Sequence, residues 1–250
     1  MNIQQGGYKL SILPENKPHT PHYAPRNFFI WGATMSGKSY LASAFPDSFV
    51  FSTDDNEKNS GTRPSVQLKN TFDAKGNIVT SAIDTLDKYI LALGTESNTF
   101  KTVVIDVIED VCTLLDQAIC AEYHVKFIGD VPYGKGWGLF DSMLQELVMN
   151  LKALPMNIIY ISRENSKMED GVSVASPALK QKYYNVVNGN CDLVIRTQHL
   201  GHNYLRTVTD IRRKYKQSEI DDPQILRILM AIPGALVKDV QTTTTNKDGK

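Results

Sequence analysis

The sequence has no apolar run approaching the ~20 residues needed to span a bilayer, and it has no excess of either charge. Lysine plus arginine and aspartate plus glutamate each number 27 in 250 residues. The first absence argues against a membrane-spanning chain. The second removes the global basic field that would by itself announce nucleic-acid binding, so any such binding must be local. Cysteine is scarce: Cys112, Cys120 and Cys191 have no metal-ligand spacing and predict reduced thiols in a core, not a disulfide frame. Met1–Gly7 lacks a basic stretch followed by an apolar one, and the expectation is a protein that stays in the cytoplasm where it is made. No G-x-S-x-G element occurs, and His199 and His202 flank Gly201 with no Cys or Glu partner at ligand spacing, a poor zinc candidate.

What the chain does have is a phosphate loop. Gly32-Ala33-Thr34-Met35-Ser36-Gly37-Lys38-Ser39 fits G-x-x-x-x-G-K-[ST], between the apolar run Phe28–Trp31 and the helix-forming Tyr40–Ala44. A nucleoside triphosphate needs backbone N–H groups converging on its phosphates at a helix N-terminus. Gly32 and Gly37 permit that wrap, and Ala33, Thr34, Met35, Ser36 and Tyr40 complete the expected binding segment. Lys38 is expected to reach the β- and γ-phosphates, and the Ser39 hydroxyl to hold Mg²⁺ with a phosphate oxygen and water.

Strand and helix signals alternate along the chain, which predicts an α/β fold with a mostly parallel, doubly wound sheet. Strands are expected at Phe49–Ser52, Thr102–Asp106, Asn157–Ser162, Cys191–Arg196 and Tyr204–Thr209; helices are expected around Ile83–Leu93, Val111–Glu122 and Leu139–Leu151. Asn70–Thr80 reads as a hairpin excursion, and Tyr123–Gly138 and Arg163–Pro177 read as loops. Residues 1–26 read as an extended leader, 27–240 as one domain and 241–250 as a disordered tail.

The second half of a nucleotide site is an acidic residue ending a neighbouring strand. Asp106, after Val103-Val104-Ile105, has that context and joins Ser39 as an expected Mg²⁺ ligand. The residue after it is Val107, so the group that activates water must come from elsewhere. Asp54 and Asp55 end the strand after the phosphate-loop helix, where they can point across the γ-phosphate, and Glu109 lies about one helical turn past Asp106. The basic cluster Arg206, Arg212, Arg213, Lys214 and Lys216 reads either as a solvated element end or as part of a site.

With these elements in order, the chain resembles the RecA-like ATPases, most closely the short phage-encoded P-loop proteins of the single-strand annealing Sak group, over roughly Asn27 to Lys216. The resemblance implies an ATP- and Mg²⁺-dependent, DNA-stimulated ATPase acting on single-stranded DNA in phage recombination, annealing or replication. It implies a homo-oligomer, ring or filament, in the host cytoplasm, and possible work with a single-strand-binding protein. Asp54 takes the place of the family's strand-end glutamate, and Ser162 or Glu164 takes the place of its γ-phosphate sensor. Arg212 and Arg213 stand where the family supplies a basic residue to the neighbouring subunit's γ-phosphate. The family's two DNA-binding loops fall on Tyr123–Gly138, with Lys126, Tyr133, Lys135 and Trp137, and on Arg163–Pro177, with Arg163 and Lys167 among Glu164, Glu169 and Asp170. Two other readings use the same loop: a small-molecule kinase with the Arg206–Arg213 segment as lid, and a nucleotide-dependent binding module with little turnover.

Overall fold

A computed structural model describes residues 24–54 and 63–237, with the side chain of Glu169 also left undescribed. Most of the expected leader, Asp55 and the expected tail therefore lie outside the described residues. The chain runs β1 (Asn27–Gly32), α1 (Lys38–Ser43), β2 (Ser48–Ser52), β3 (Ser65–Gln67), β4 (Thr71–Phe72), β5 (Ile78–Thr80) and α2 (Ala82–Thr95). It continues through β6 (Thr102–Asp106), α3 (Ile108–Glu122), α4 (Lys135–Ala153), β7 (Asn157–Glu169), β8 (Val172–Pro177), α5 (Gln181–Asn188), β9 (Leu193–Leu200), β10 (Asn203–Ile211) and α6 (Pro223–Met230).

The main sheet has the order β10-β9-β1-β7-β6-β2-β3. The pairs along this path are parallel except for the β9–β10 hairpin at one edge, and an eighth strand, β8, pairs antiparallel with the far end of β7. Alternation of side chains explains how the sheet is covered. Phe29, Trp31, Val103, Ile105, Ile158 and Tyr160 face the layer of α2, α3, α4 and α5. Their neighbours Phe28, Ile30, Val104, Ile159 and Ile161 face α1 and α6. Strands buried on both faces read as continuous apolar runs, and helices on both sides make the sheet doubly wound.

β7 lies between β1 and β6, so the carboxyl edge places the phosphate loop, Ser162 and Asp106 side by side. In register, Trp31 lies opposite Ser162, Ile161 opposite Asp106, and Asp106 opposite Ser52. This edge of an open parallel sheet is where ligands are bound in such folds.

Several local expectations change. Arg163–Pro177 is not a loop: β7 continues to Glu169 and turns back as β8. Asp170 and Gly171 at the turn have φ of 49° and 79°, as a two-residue type I′ hairpin requires. The loop after α3 is shorter than expected, because α4 already begins at Lys135 and includes Gly136 and Gly138. A glycine inside a helix costs ~1 kcal/mol relative to alanine but does not end it when the apolar face packs. The cysteines are free thiols, with Cys112 and Cys191 buried and Cys120 half-buried. No helix among the described residues is long and apolar enough to cross a membrane.

Candidate nucleotide site

The phosphate loop is pinned to the sheet on its β9 side. Gly32 passes so close to β9 that a Cβ there would lie 2.2 Å from the Thr197 carbonyl oxygen. Ser36 Oγ lies 2.6 Å from Thr197 Oγ1, with both residues buried. The loop then turns through Met35, at φ 62°, whose side chain is 84% exposed. α1 is six residues long, so its dipole is small, and the loop's own groups and Lys38 must supply most of the positive field.

Lys38 is buried, and its Nζ donates to the carbonyl oxygens of Gly32 at 2.8 Å and Ala33 at 2.7 Å. Burial pushes its ammonium pKa down, while the charges of Asp106 and Glu109 oppose the shift. Ser39 Oγ donates to Asp106 Oδ2 at 2.7 Å, joining the two halves of the site predicted from the sequence.

A chain that carries Lys38 and Ser39 against Asp106 over a sheet of this order invites comparison with known families. A model of the AAA domain matches residues 24–219. The chain belongs to the AAA domain family. It is thus an AAA/RecA-type P-loop nucleotide-binding protein. No curated protein matches the chain.

In this AAA domain, Ser39 and Asp106 fit a hard divalent cation. Both present oxygen, and among the described residues no cluster of three or more His, Cys, Asp or Glu side chains could hold a metal alone. Mg²⁺ commonly takes one or two protein oxygens and completes its shell with substrate phosphate and water, which is what this pair leaves room for. When bound, the ion would neutralise charge developing on the phosphates.

Beside this pair stands a carboxylate to which the sequence reading gave little weight. Glu109, in the first turn of α3, accepts a hydrogen bond from Ser162 Oγ midway along β7. Its Oε2 is buried and has no hydrogen-bond partner. Burial pushes its carboxyl pKa up, against the lowering effect of the Ser162 hydroxyl. Asp54 is placed differently. It is exposed, and its Oδ1 and carbonyl oxygen face the Ser52 hydroxyl at 3.2 and 2.5 Å.

Between the two lies an ordered ion pair. Arg163 grips Asp110 with two bonds of 2.7 Å and holds that carboxyl below the usual carboxylate range. Thr53 Oγ1 donates to Asp110 at 2.9 Å, which ties β2 to α3. Glu164, the other expected sensor, pairs with Arg196 at 3.0 Å, leaving Ser162 as the hydroxyl that joins the sensor strand to Glu109. The short reach from β6 to the first turn of α3 was the available signal for Glu109.

The arginines separate. Arg206 lies opposite Thr197 in the β9–β10 ladder and lines a cavity beside the phosphate loop. Arg212 sits at the other end of β10, donating to the Cys191 carbonyl at 2.9 Å and the Gly189 carbonyl at 2.5 Å. That is the edge of the sheet where β1 and β9 begin, away from the phosphate loop, and the Arg212 guanidinium serves its own chain. Arg213 is exposed at the same edge. Because Arg206 to Ile211 is strand paired with β9, with one bulge between Val208 and Asp210, the segment does not form the lid that a kinase would need.

Proposed function

We propose that this AAA domain is a Mg²⁺-dependent ATPase that acts on single-stranded DNA, in recombination, annealing or replication of the kind carried out by the phage-encoded proteins it resembles. Lys38 and the loop backbone bind the β- and γ-phosphates, and Ser39 with Asp106 holds the cation. Glu109 orients and deprotonates the attacking water; the reasons for choosing it over Asp54 are its burial, its unpartnered oxygen and its support by Ser162. In a homo-oligomer, Arg213 is the basic residue offered to a neighbouring copy.

The observation that supports the DNA reading is a set of three lysine–aromatic pairs, of which Lys180–Trp137 lines the same cavity as this carboxylate. Lys126 lies 5.3 Å from the Phe127 ring, Lys135 5.6 Å from Tyr133, and Lys180 5.8 Å from Trp137. Tyr133 is held at φ 61° with its ring 94% exposed, an unusual backbone state for an aromatic residue. Stacking rings beside cations are how single strands are bound without sequence preference. Trp137 and Glu109 line one small cavity of about 240 Å³, so an occupant there would touch the hydrolytic carboxylate.

Phosphate release from ATP and Mg²⁺ at low salt, with and without single-stranded DNA, tests both parts. Stimulation by DNA, lost in Lys38→Ala, is the expected result. Because Trp31 is buried and Trp137 is half exposed, quenching of tryptophan fluorescence by an oligonucleotide, reversed by salt, reports the stacking directly. Hydrolysis indifferent to DNA with unquenched fluorescence sinks the DNA assignment, and turnover that survives Lys38→Ala sinks the nucleotide site.

A further inference from the structure

The cavity over the phosphate loop extends past the groups assigned to the phosphates to a wall that the chemistry above does not use. It has a volume of about 680 Å³ and is walled by Met35 to Tyr40 on one side and by Tyr204 and Arg206 of β10 on the other. Two of its rings are exposed: Tyr40 by 73% and Tyr204 by 58%. Tyr204 is braced from behind. His199, its cross-strand partner, stacks on it with ring centroids 4.2 Å apart and planes within 6°.

The ring also abuts the phosphate loop, since a Cβ on Gly37 would lie 3.3 Å from Tyr204 Cδ1. Two residues further along the same face of β10, Arg206 is half-buried and makes no ion pair among the described residues. An arginine so placed, with five donors and a charge it cannot lose, is matched by an anion. Three of the loop's polar side chains are engaged within the fold: Ser36 with Thr197, Ser39 with Asp106, and Lys38 with two carbonyl oxygens. What the cavity adds to the loop is aromatic surface and one cation.

We infer that this cavity is the nucleoside half of the nucleotide site: the His199-backed Tyr204 ring, with Tyr40, takes the flat face of the base, and Arg206 takes the phosphate nearest the ribose. The inference rests on the nucleotide-binding reading and extends it from triphosphate to nucleoside. It assigns the edge hairpin β9–β10 to ligand binding, and it makes Thr197 the residue that fixes the distance between hairpin and loop.

A comparison of ATP with inorganic tripolyphosphate, which has no base, separates the two layers. Binding of each in Mg²⁺ is measured by calorimetry for the wild-type chain, Tyr204→Ala, Tyr204→Phe and Lys38→Ala. Tyr204→Ala is expected to weaken ATP by about tenfold or more and tripolyphosphate by less than about twofold, since stacking acts on the base alone. Tyr204→Phe keeps the ring and is expected to bind ATP as the wild type does. Equal losses for both ligands in Tyr204→Ala, or equal wild-type affinity for both, overturns the base platform while leaving the phosphate site standing. Failure of the wild type to bind either ligand overturns the nucleotide reading and this inference with it.

Discussion

The two sides of the nucleotide site are built on opposite terms. On the β1–β9 side, Ser36, Lys38 and Ser39 each have a partner between 2.6 and 2.8 Å, and the loop is locked to Thr197. On the β6–β2 side, Glu109 is held by one hydroxyl and keeps a buried oxygen without a partner. A satisfied polar group adds to stability, and an unsatisfied one subtracts from it. The first side is a cradle whose polar groups are satisfied, with the burial of the Lys38 ammonium as its one cost, and the second retains an unsatisfied group where the proposed chemistry needs one. Substitutions on the two sides should differ in the sign of their effect on stability as well as in their effect on turnover.

The largest effect is expected at Lys38. Lys38→Ala removes the cation proposed to meet the β- and γ-phosphates, and hydrolysis should fall by about 100-fold or more, read as phosphate release at saturating ATP. Next comes the choice between carboxylates. Glu109→Gln should lower kcat by about 100-fold while ATP still binds, and Asp54→Asn, at an exposed position beside Ser52, should change it by less than about threefold, as surface substitutions away from the reacting atoms do. The reverse order would return water activation to Asp54.

The comparison sharpens with pH. Burial raises the Glu109 pKa, and a base works only when deprotonated, so the acid limb of kcat should lie above the ordinary carboxylate range and vanish in Glu109→Gln. For stability the sign is opposite to the usual carboxylate case. A folded pKa above the unfolded one gives a contribution that is complete below the unfolded value and is lost as pH rises through the folded one. Glu109 therefore weakens the fold at neutral pH, and Glu109→Gln should raise Tm by about 2–4 °C there, with the gain shrinking in acid. A lower Tm in the variant at neutral pH would mean that the carboxylate is a structural ligand of Ser162 and not a strained base.

The cradle was legible in the sequence because it is local. Eight consecutive residues between a strand and a helix define it, and Asp106 ends an apolar run that could hardly be anything but a buried strand. The doubly wound sheet followed from the same alternation. The other side was harder to read because Glu109, Ser162 and Arg163 meet only once β7 has inserted between β1 and β6, a sheet order that periodicity does not encode. Some misses had signals. Asp170-Gly171 before the alternating Val172 and Val174 is a hairpin signature that polar neighbours obscured. Asp222-Pro223, with Ile225, Ile228 and Leu229 on one face, announces α6, where Asp222 accepts from Gln224 and Ile225 backbone N–H groups. α5 offered less, with Tyr183 and Val187 as its buried pair.

The smallest expected effect on turnover lies on the cradle side and completes the contrast. Thr197→Val keeps the shape of the side chain and removes the hydroxyl that meets Ser36 at 2.6 Å. Ser36 is 2% exposed, so water cannot readily replace the lost partner. The cost should be about 1–3 kcal/mol, the penalty for a buried hydroxyl left without a partner, and thermal melting would show it as a lower Tm. The loop would be freed from β9 without losing any group that touches phosphate, so kcat should change little while KM for ATP rises. A fall in Tm for Thr197→Val together with a rise for Glu109→Gln would establish that the two sides of one site make opposite contributions to the fold. Equal signs would show that the difference in hydrogen bonding between them has no energetic consequence.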